Sequence, residues 1–90
     1  MRYSVAWLPQ AEQDLSELWM AAPHKAQFAE VVDQLEIRLS QNPQAVGESR
    51  DSMNHRVAIE PPVGILFDLF PGDRLVQITH IGWLPPPRHT

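Results

Sequence analysis

The chain has 90 residues, 43% of them apolar and 20% charged, with nine prolines and no cysteine. That length suits one compact domain, no disulfide can staple it, and no apolar run approaches the roughly 18–20 residues that a membrane-spanning helix needs. The net charge of −4 is uneven, because residues 1–49 hold three basic and seven acidic side chains while residues 50–90 hold four of each; the basic stripe that binds phosphate backbones is missing, and no sequence-specific DNA binding is expected.

The opening MRYSVAWLPQ has no apolar stretch of signal-peptide length, which leads to the expectation of a cytoplasmic chain. Tyr3, Val5 and Trp7 alternate with polar or small residues, the period of a half-buried strand, and Leu8-Pro9 ends it. Ala11, Leu15, Leu18, Trp19 and Ala22 then recur on one helical stripe, which makes Trp19, like Trp7, a core residue. Pro23 interrupts this helix of about three turns. A second stripe follows at Phe28, Val31, Val32, Leu35 and Leu39, with Ile37 pointing outward. Two helices joined by so short a turn form a hairpin that needs one shared surface to cover.

Asn42-Pro43 and Gly47 break the second helix, and residues 41–52 read as a polar connection. From there the period is two. His55, Val57 and Ile59 alternate with Arg56, Ala58 and Glu60, Pro61-Pro62 turns the chain, and Ile65, Phe67 and Leu69 follow on a second strand. Pro71-Gly72-Asp73 supplies another turn, and Leu75 to Trp83 forms a last strand rich in β-branched residues. The expected fold is α+β, in the order β-α-α-β-β-β, with the helical hairpin packed on one face of a small antiparallel sheet. Residues 1–84 form this single domain. Residues 85–90, opening with Pro85-Pro86-Pro87, are expected to be an extended tail.

Among chemistry-bearing residues, His80 shares the parity of Val76 and Ile78 and is expected to point toward the core, where it is either a hydrogen-bonded structural histidine or a general base. His55 shares the parity of Val57 and Ile59 and invites the same reading. Arg56 is expected to face solvent or to pair with Glu60. The four histidines are scattered and no metal-binding spacing occurs, so neither a metal nor a cofactor is expected. Trp83, beside the tail that carries Arg88 and His89, is the aromatic best placed for a contact surface.

Several of these elements, in this order, resemble the RelE/ParE superfamily of bacterial type II toxins. They are Val5-Ala6-Trp7-Leu8-Pro9 followed by Ala11 and Leu15, Leu39 with Pro43 and Gly47, His55-Arg56-Val57, Ile65-Leu66-Phe67, and Ile78-Thr79-His80-Ile81-Gly82. The resemblance covers residues 2–84. It implies a growth-inhibiting toxin, of the kind associated with plasmid stabilisation, that is neutralised by a cognate antitoxin. RelE-like members cut messenger RNA at the ribosome, and ParE-like members inhibit DNA gyrase.

Of the cationic and aromatic set that the RelE-like branch implies, Arg56 fills the first basic strand position. The next falls near Gly64 or Ile65 and the last near Leu84, none of them basic, and no tyrosine follows Tyr3, although Trp83 lies near the expected aromatic. RNA cleavage depends heavily on cations at the phosphate. The sequence therefore favours the ParE-like branch, a toxin that binds a gyrase-like protein target through Arg56, Trp83, Arg88 and His89. The alternatives are a ribosome-dependent endoribonuclease using Arg56, His80 and Arg88, and a non-catalytic binding protein on the same fold.

Overall fold

A computed structural model describes residues 2–46, 48–52 and 54–84. The tail at 85–90, with the candidates Arg88 and His89, and the expected helix breaker Gly47 lie outside the described residues. The elements run β1 (Ser4–Trp7), α1 (Pro9–Ala21), α2 (Lys25–Gln41), a 3-10 turn (Pro43–Ala45), β2 (Glu48–Ser52), β3 (His55–Glu60), β4 (Val63–Phe70), a second 3-10 turn (Pro71–Asp73) and β5 (Leu75–Trp83). Pro9 takes the first turn of α1, where its missing N–H costs nothing. Lys25 Nζ donates to the carbonyls of Met20 and Ala22 at 3.3 and 3.2 Å, which closes the end of α1 and ties it to the start of α2.

The helical hairpin packs on one face of the sheet, as expected, but the sheet is larger than the sequence implied. It has five strands in the order β1-β5-β4-β3-β2. The stretch expected as polar connection contains the 3-10 turn and the edge strand β2. Its sequence, ESRDS, carries no apolar alternation, so nothing in its period announced a strand. A short charged strand suits an edge, where an apolar one would invite pairing with other chains.

β2 to β5 form an antiparallel meander, whereas β1 runs parallel to β5 with Ser4 opposite Leu75 and Trp7 opposite Ile78. Periodicity finds a strand but not a partner seventy residues away. Backbone bonds from Tyr3 N to Ser40 O at 2.8 Å and from Leu8 N to Ile78 O at 3.0 Å fasten both ends of β1. Arg74, in the left-handed region at φ 49°, ends the turn before β5, and its guanidinium lies 5.8 Å over the Tyr3 ring.

Phe28, Val32, Leu35 and Leu39 of α2 meet Val63, Ile65, Phe67 and Leu69 of β4 and Val76, Ile78 and Ile81 of β5 in one core. Among the described residues, none that is buried is polar or charged. No helix among them is long and apolar enough to cross a membrane.

Candidate functional site

Two solvent-facing surfaces carry the chemistry. The first is the sheet face turned away from the helices. Arg56 pairs with Phe67, Ala58 with Ile65 and Glu60 with Val63, and directly opposed residues share a face. Because Ile65 and Phe67 are buried under the helices, Arg56, Ala58 and Glu60 also look toward the helices, while His55, Val57 and Ile59 look out. This reverses the expected parity of β3, and Ile59 is 58% exposed. The two-residue turn at Pro61-Pro62 sets the register, and the strongly apolar β4 outvotes the weaker pattern of β3.

Arg56 accordingly neither faces solvent nor pairs with Glu60. Its Nη2 donates to the carbonyl of Gln44 in the first 3-10 turn at 3.0 Å. Glu60 takes Arg38 instead, at 2.7 Å. Arg56 thus fastens the polar connection to the sheet.

His80 departs from expectation for a different reason. Leu66 opposes His80 while Phe67 opposes Ile78, so Thr79 is an extra residue and the strand bulges there. The bulge resets the alternation: Ile78 and Ile81 are both buried, and His80 is exposed on the open face. The Thr79 hydroxyl donates to Leu66 O at 3.2 Å and also lies 3.2 Å from His80 Nδ1. Thr79 thus engages Nδ1, and Nε2 is the ring nitrogen available to a ligand on the open face. Beside it, the opposed glycines Gly64 and Gly82 leave a shallow dent of about 300 Å³.

Toward the other end of the same face, His55 Nδ1 meets Asp68 Oδ1 at 2.6 Å across β3 and β4. The two histidines stand opposite residues two apart on β4, with one strand between them, which separates their Cα atoms by about 12 Å. On that face His55 is engaged by Asp68 and His80 by Thr79. This face of β3, β4 and β5 carries no arginine or lysine, since the one cation on those strands, Arg56, is turned to the helices.

The second surface lies on the helical hairpin and continues to the end of β5. Trp19 was expected in the core, yet it is 40% exposed. At 100° per residue it stands about 80° from Ala11, at the rim of the stripe that Ala11, Leu18 and Ala22 occupy. Phe28 sits between Trp19 and Trp83, with ring centroids 6.3 and 5.4 Å away, both tilted. Trp83 is 41% exposed and Met20 77%.

Around this aromatic row lie two adjoining hollows. A groove of about 450 Å³ between the helices is lined by Leu15, Trp19, Met20, Val32, Asp33 and Glu36 among others. A cleft of about 670 Å³ lies between the α1–α2 turn, Pro61-Pro62 and Trp83. Phe28 and its neighbours floor both. Burial raises the Glu36 pKa above 4.5, the charge of Asp33 raises it further, and a hydrogen bond from the Trp7 side chain lowers it.

Of the residues that the sequence singled out, Trp83 thus joins Trp19 and Phe28, while Arg56 lies opposite Phe67, four residues and about 13 Å along β4 from the Trp83 partner Val63. His80 lies on the other face of the sheet. Met20, Asp33 and Glu36 were not singled out. The rim position of Trp19 on its helical wheel was the available signal. Among the described residues, no cluster of His, Asp and Glu has the grouping of a metal site.

Neither a family model nor a curated protein sequence matches the chain. Solved structures do match. The toxin–antitoxin complex RelBE2 of Mycobacterium tuberculosis contains a chain with TM-score 0.76 and 22% identity over 93% of both chains. The chromosomal ParDE system of P. aeruginosa matches with TM-score 0.68 and 16% identity over 92% of this chain and 97% of that one. The isolated E. coli RelE toxin matches with TM-score 0.71 and 9% identity over 94% and 87%. At such identities these likenesses establish a shared fold, the one carried by RelE/ParE toxins, and function must be argued from the surfaces themselves.

Proposed function

We propose that the chain is the toxin of a type II toxin–antitoxin pair, arresting growth by binding a protein target of the DNA gyrase kind and held inactive by a cognate antitoxin. The observation that carries this reading is the aromatic row of Trp19, Phe28 and Trp83 with its two adjoining hollows. Tryptophans that stand partly exposed around an apolar groove are the residues that anchor protein–protein contacts. The shared fold supports the toxin class, and the neighbours RelBE2 and ParDE are themselves toxin–antitoxin systems. In this reading the target is engaged at the Trp83 end, from which the chain continues in sequence to Arg88 and His89. The antitoxin fills the groove and blocks that approach.

A second reading, ribosome-dependent cleavage of messenger RNA, draws support from His80, which stands exposed on the open face with Nδ1 engaged by Thr79. That β3, β4 and β5 turn no cation to this face weighs against it, because stabilising the phosphate is usually the largest catalytic contribution.

Induced expression in bacteria separates the readings. The expected result is growth arrest that is relieved by co-expressing the cognate antitoxin. DNA supercoiling by gyrase should be inhibited, transcripts at ribosomes should stay intact, and Trp83→Ala should restore growth. Cuts at ribosomes that disappear in His80→Ala would instead establish the RelE-type activity. A folded chain without any effect on growth would leave only the binding-protein role.

A further inference from the structure

The hairpin groove is charged as well as apolar, and its sign identifies what fills it. Between Pro9 and Gln41 the chain carries six carboxylates, from Glu12, Asp14, Glu17, Glu30, Asp33 and Glu36, against two cations. Both cations are engaged within the fold, Lys25 on the last carbonyls of α1 and Arg38 on Glu60. Asp33 and Glu36 stand one turn apart on α2 and line the same groove as Trp19 and Met20. The apolar row and the carboxylate pair are therefore two ends of one surface.

Resting on the toxin reading above, we propose that the antitoxin segment which occupies this groove is a cationic amphipathic helix. Its apolar side chains seat against Trp19, Met20, Phe28 and Trp83, and a lysine or arginine pairs with Asp33 and Glu36. From Phe28 to Glu36 the groove follows α2 for nine residues, about 12 Å, which accommodates about two turns with anchors at i, i+4 and i+7. The walls are helices whose backbone groups are already bonded along their own axes. An extended segment would find few main-chain partners there, whereas a helix satisfies its own.

The charge opposes a symmetric pairing of two copies through this surface, because two hairpins of the same negative sign would face one another. It likewise opposes a nucleic-acid strand. A cation from the occupant also offsets the cost of holding Glu36 ionised beside apolar walls, the environment that raises its pKa in the free protein.

The test is selection of a displayed library of helical peptides of about 15 residues, unbiased in charge, on the wild-type protein. Enriched peptides are expected to combine apolar residues at helical spacing with net positive charge. They should bind the Asp33→Asn/Glu36→Gln variant at least about tenfold more weakly and weaken as salt rises from about 0.05 to 0.5 M. Trp19→Ala should abolish binding. Glutamine keeps an acceptor for Trp7, and the single Asp33→Asn variant, at an exposed position, provides a second reading should the pair fold poorly. Enrichment of neutral or acidic peptides would overturn the proposal. So would equal binding to the charge-depleted variants, or no enrichment at all. Growth arrest is read separately in cells: arrest with a failed selection sinks this inference alone, and a successful selection without arrest sinks the toxin reading alone.

Discussion

The hairpin surface and the open sheet face look out from opposite sides of one core, and they divide the chemistry in an unexpected way. The sheet face carries the imidazoles, the residue type that first suggests catalysis. Yet His55 is held by Asp68, His80 is tied to Thr79, and no arginine or lysine of β3, β4 or β5 accompanies them. The hairpin side has tryptophans and carboxylates of no evident catalytic kind, but Trp19 and Trp83 stand partly exposed beside an apolar groove with the pair Asp33 and Glu36 at one end. What distinguishes the second surface is an unfavourable exposure that a partner would relieve. Residue type and unfavourable exposure therefore point to different faces.

The strongest way to break the comparison is to remove the core that separates the two surfaces. Phe67 is fully buried on β4, between Arg56 on β3 and Ile78 on β5. Phe67→Ala should cost about 3–5 kcal/mol in urea unfolding, with both surfaces lost in one transition. A shift below about 1 kcal/mol would show that the sheet and hairpin are not held by a common core.

A sharper cut leaves the fold intact. Trp19→Ala removes a half-exposed ring, so stability should change little, while affinity for the antitoxin should fall by about 2 kcal/mol or more, measured by calorimetry. His80→Ala should change neither antitoxin binding nor growth arrest. If the histidine variant lost toxicity and the tryptophan variant kept full affinity, the roles of the two faces would be exchanged.

Arg38→Met tests how much the ion pair between the hairpin and β3 adds to the contact of the two surfaces through the core. The pair Arg38–Glu60 is short at 2.7 Å but partly exposed at both ends. Exposed pairs contribute under about 1 kcal/mol, so the loss should be within that range and should vanish at high salt.

Much of this was legible in the sequence where local physics decides. The two helical stripes, the alternation of β4 and the turns at Pro61-Pro62 and Pro71 all follow from side-chain period and proline geometry, and the structure carries each of them. Most of the failures concern pairing between strands, which the period of a single strand does not reveal. β2 has no apolar pattern and exists because β3 offers it an edge. The parity of β3 is imposed by β4, and the outward turn of His80 by one extra residue whose presence shows only when Leu66 and Phe67 are paired across the sheet. Trp19 was assigned to the core because its stripe was read as a line, although at about 80° from Ala11 it is a rim position. The site was hidden because Trp19, Phe28 and Trp83 come together only through the fold.

The smallest expected effect is also the one that couples the groove to its occupant. In the free protein the Glu36 pKa is raised above 4.5, chiefly by burial and then by Asp33. Between 4.5 and the folded value the native state binds more protons than the unfolded state, so stability falls as pH rises through that window. Glu36→Gln cannot ionise and should lose this slope. Urea midpoints should therefore place the variant level with or slightly above the parent at pH 7, and the parent should regain ground at or below about pH 4.5. With a cationic helix in the groove the balance reverses, because a lysine or arginine beside Glu36 favours the ionised carboxylate. The same substitution should then weaken the complex and make its affinity less sensitive to pH. A substitution that is neutral or favourable in the free chain and costly in the complex is the behaviour of a residue kept for a partner. If Glu36→Gln destabilised both states alike, Glu36 would be a structural group that supports Trp7, and the acidic end of the groove would have no part in recognition.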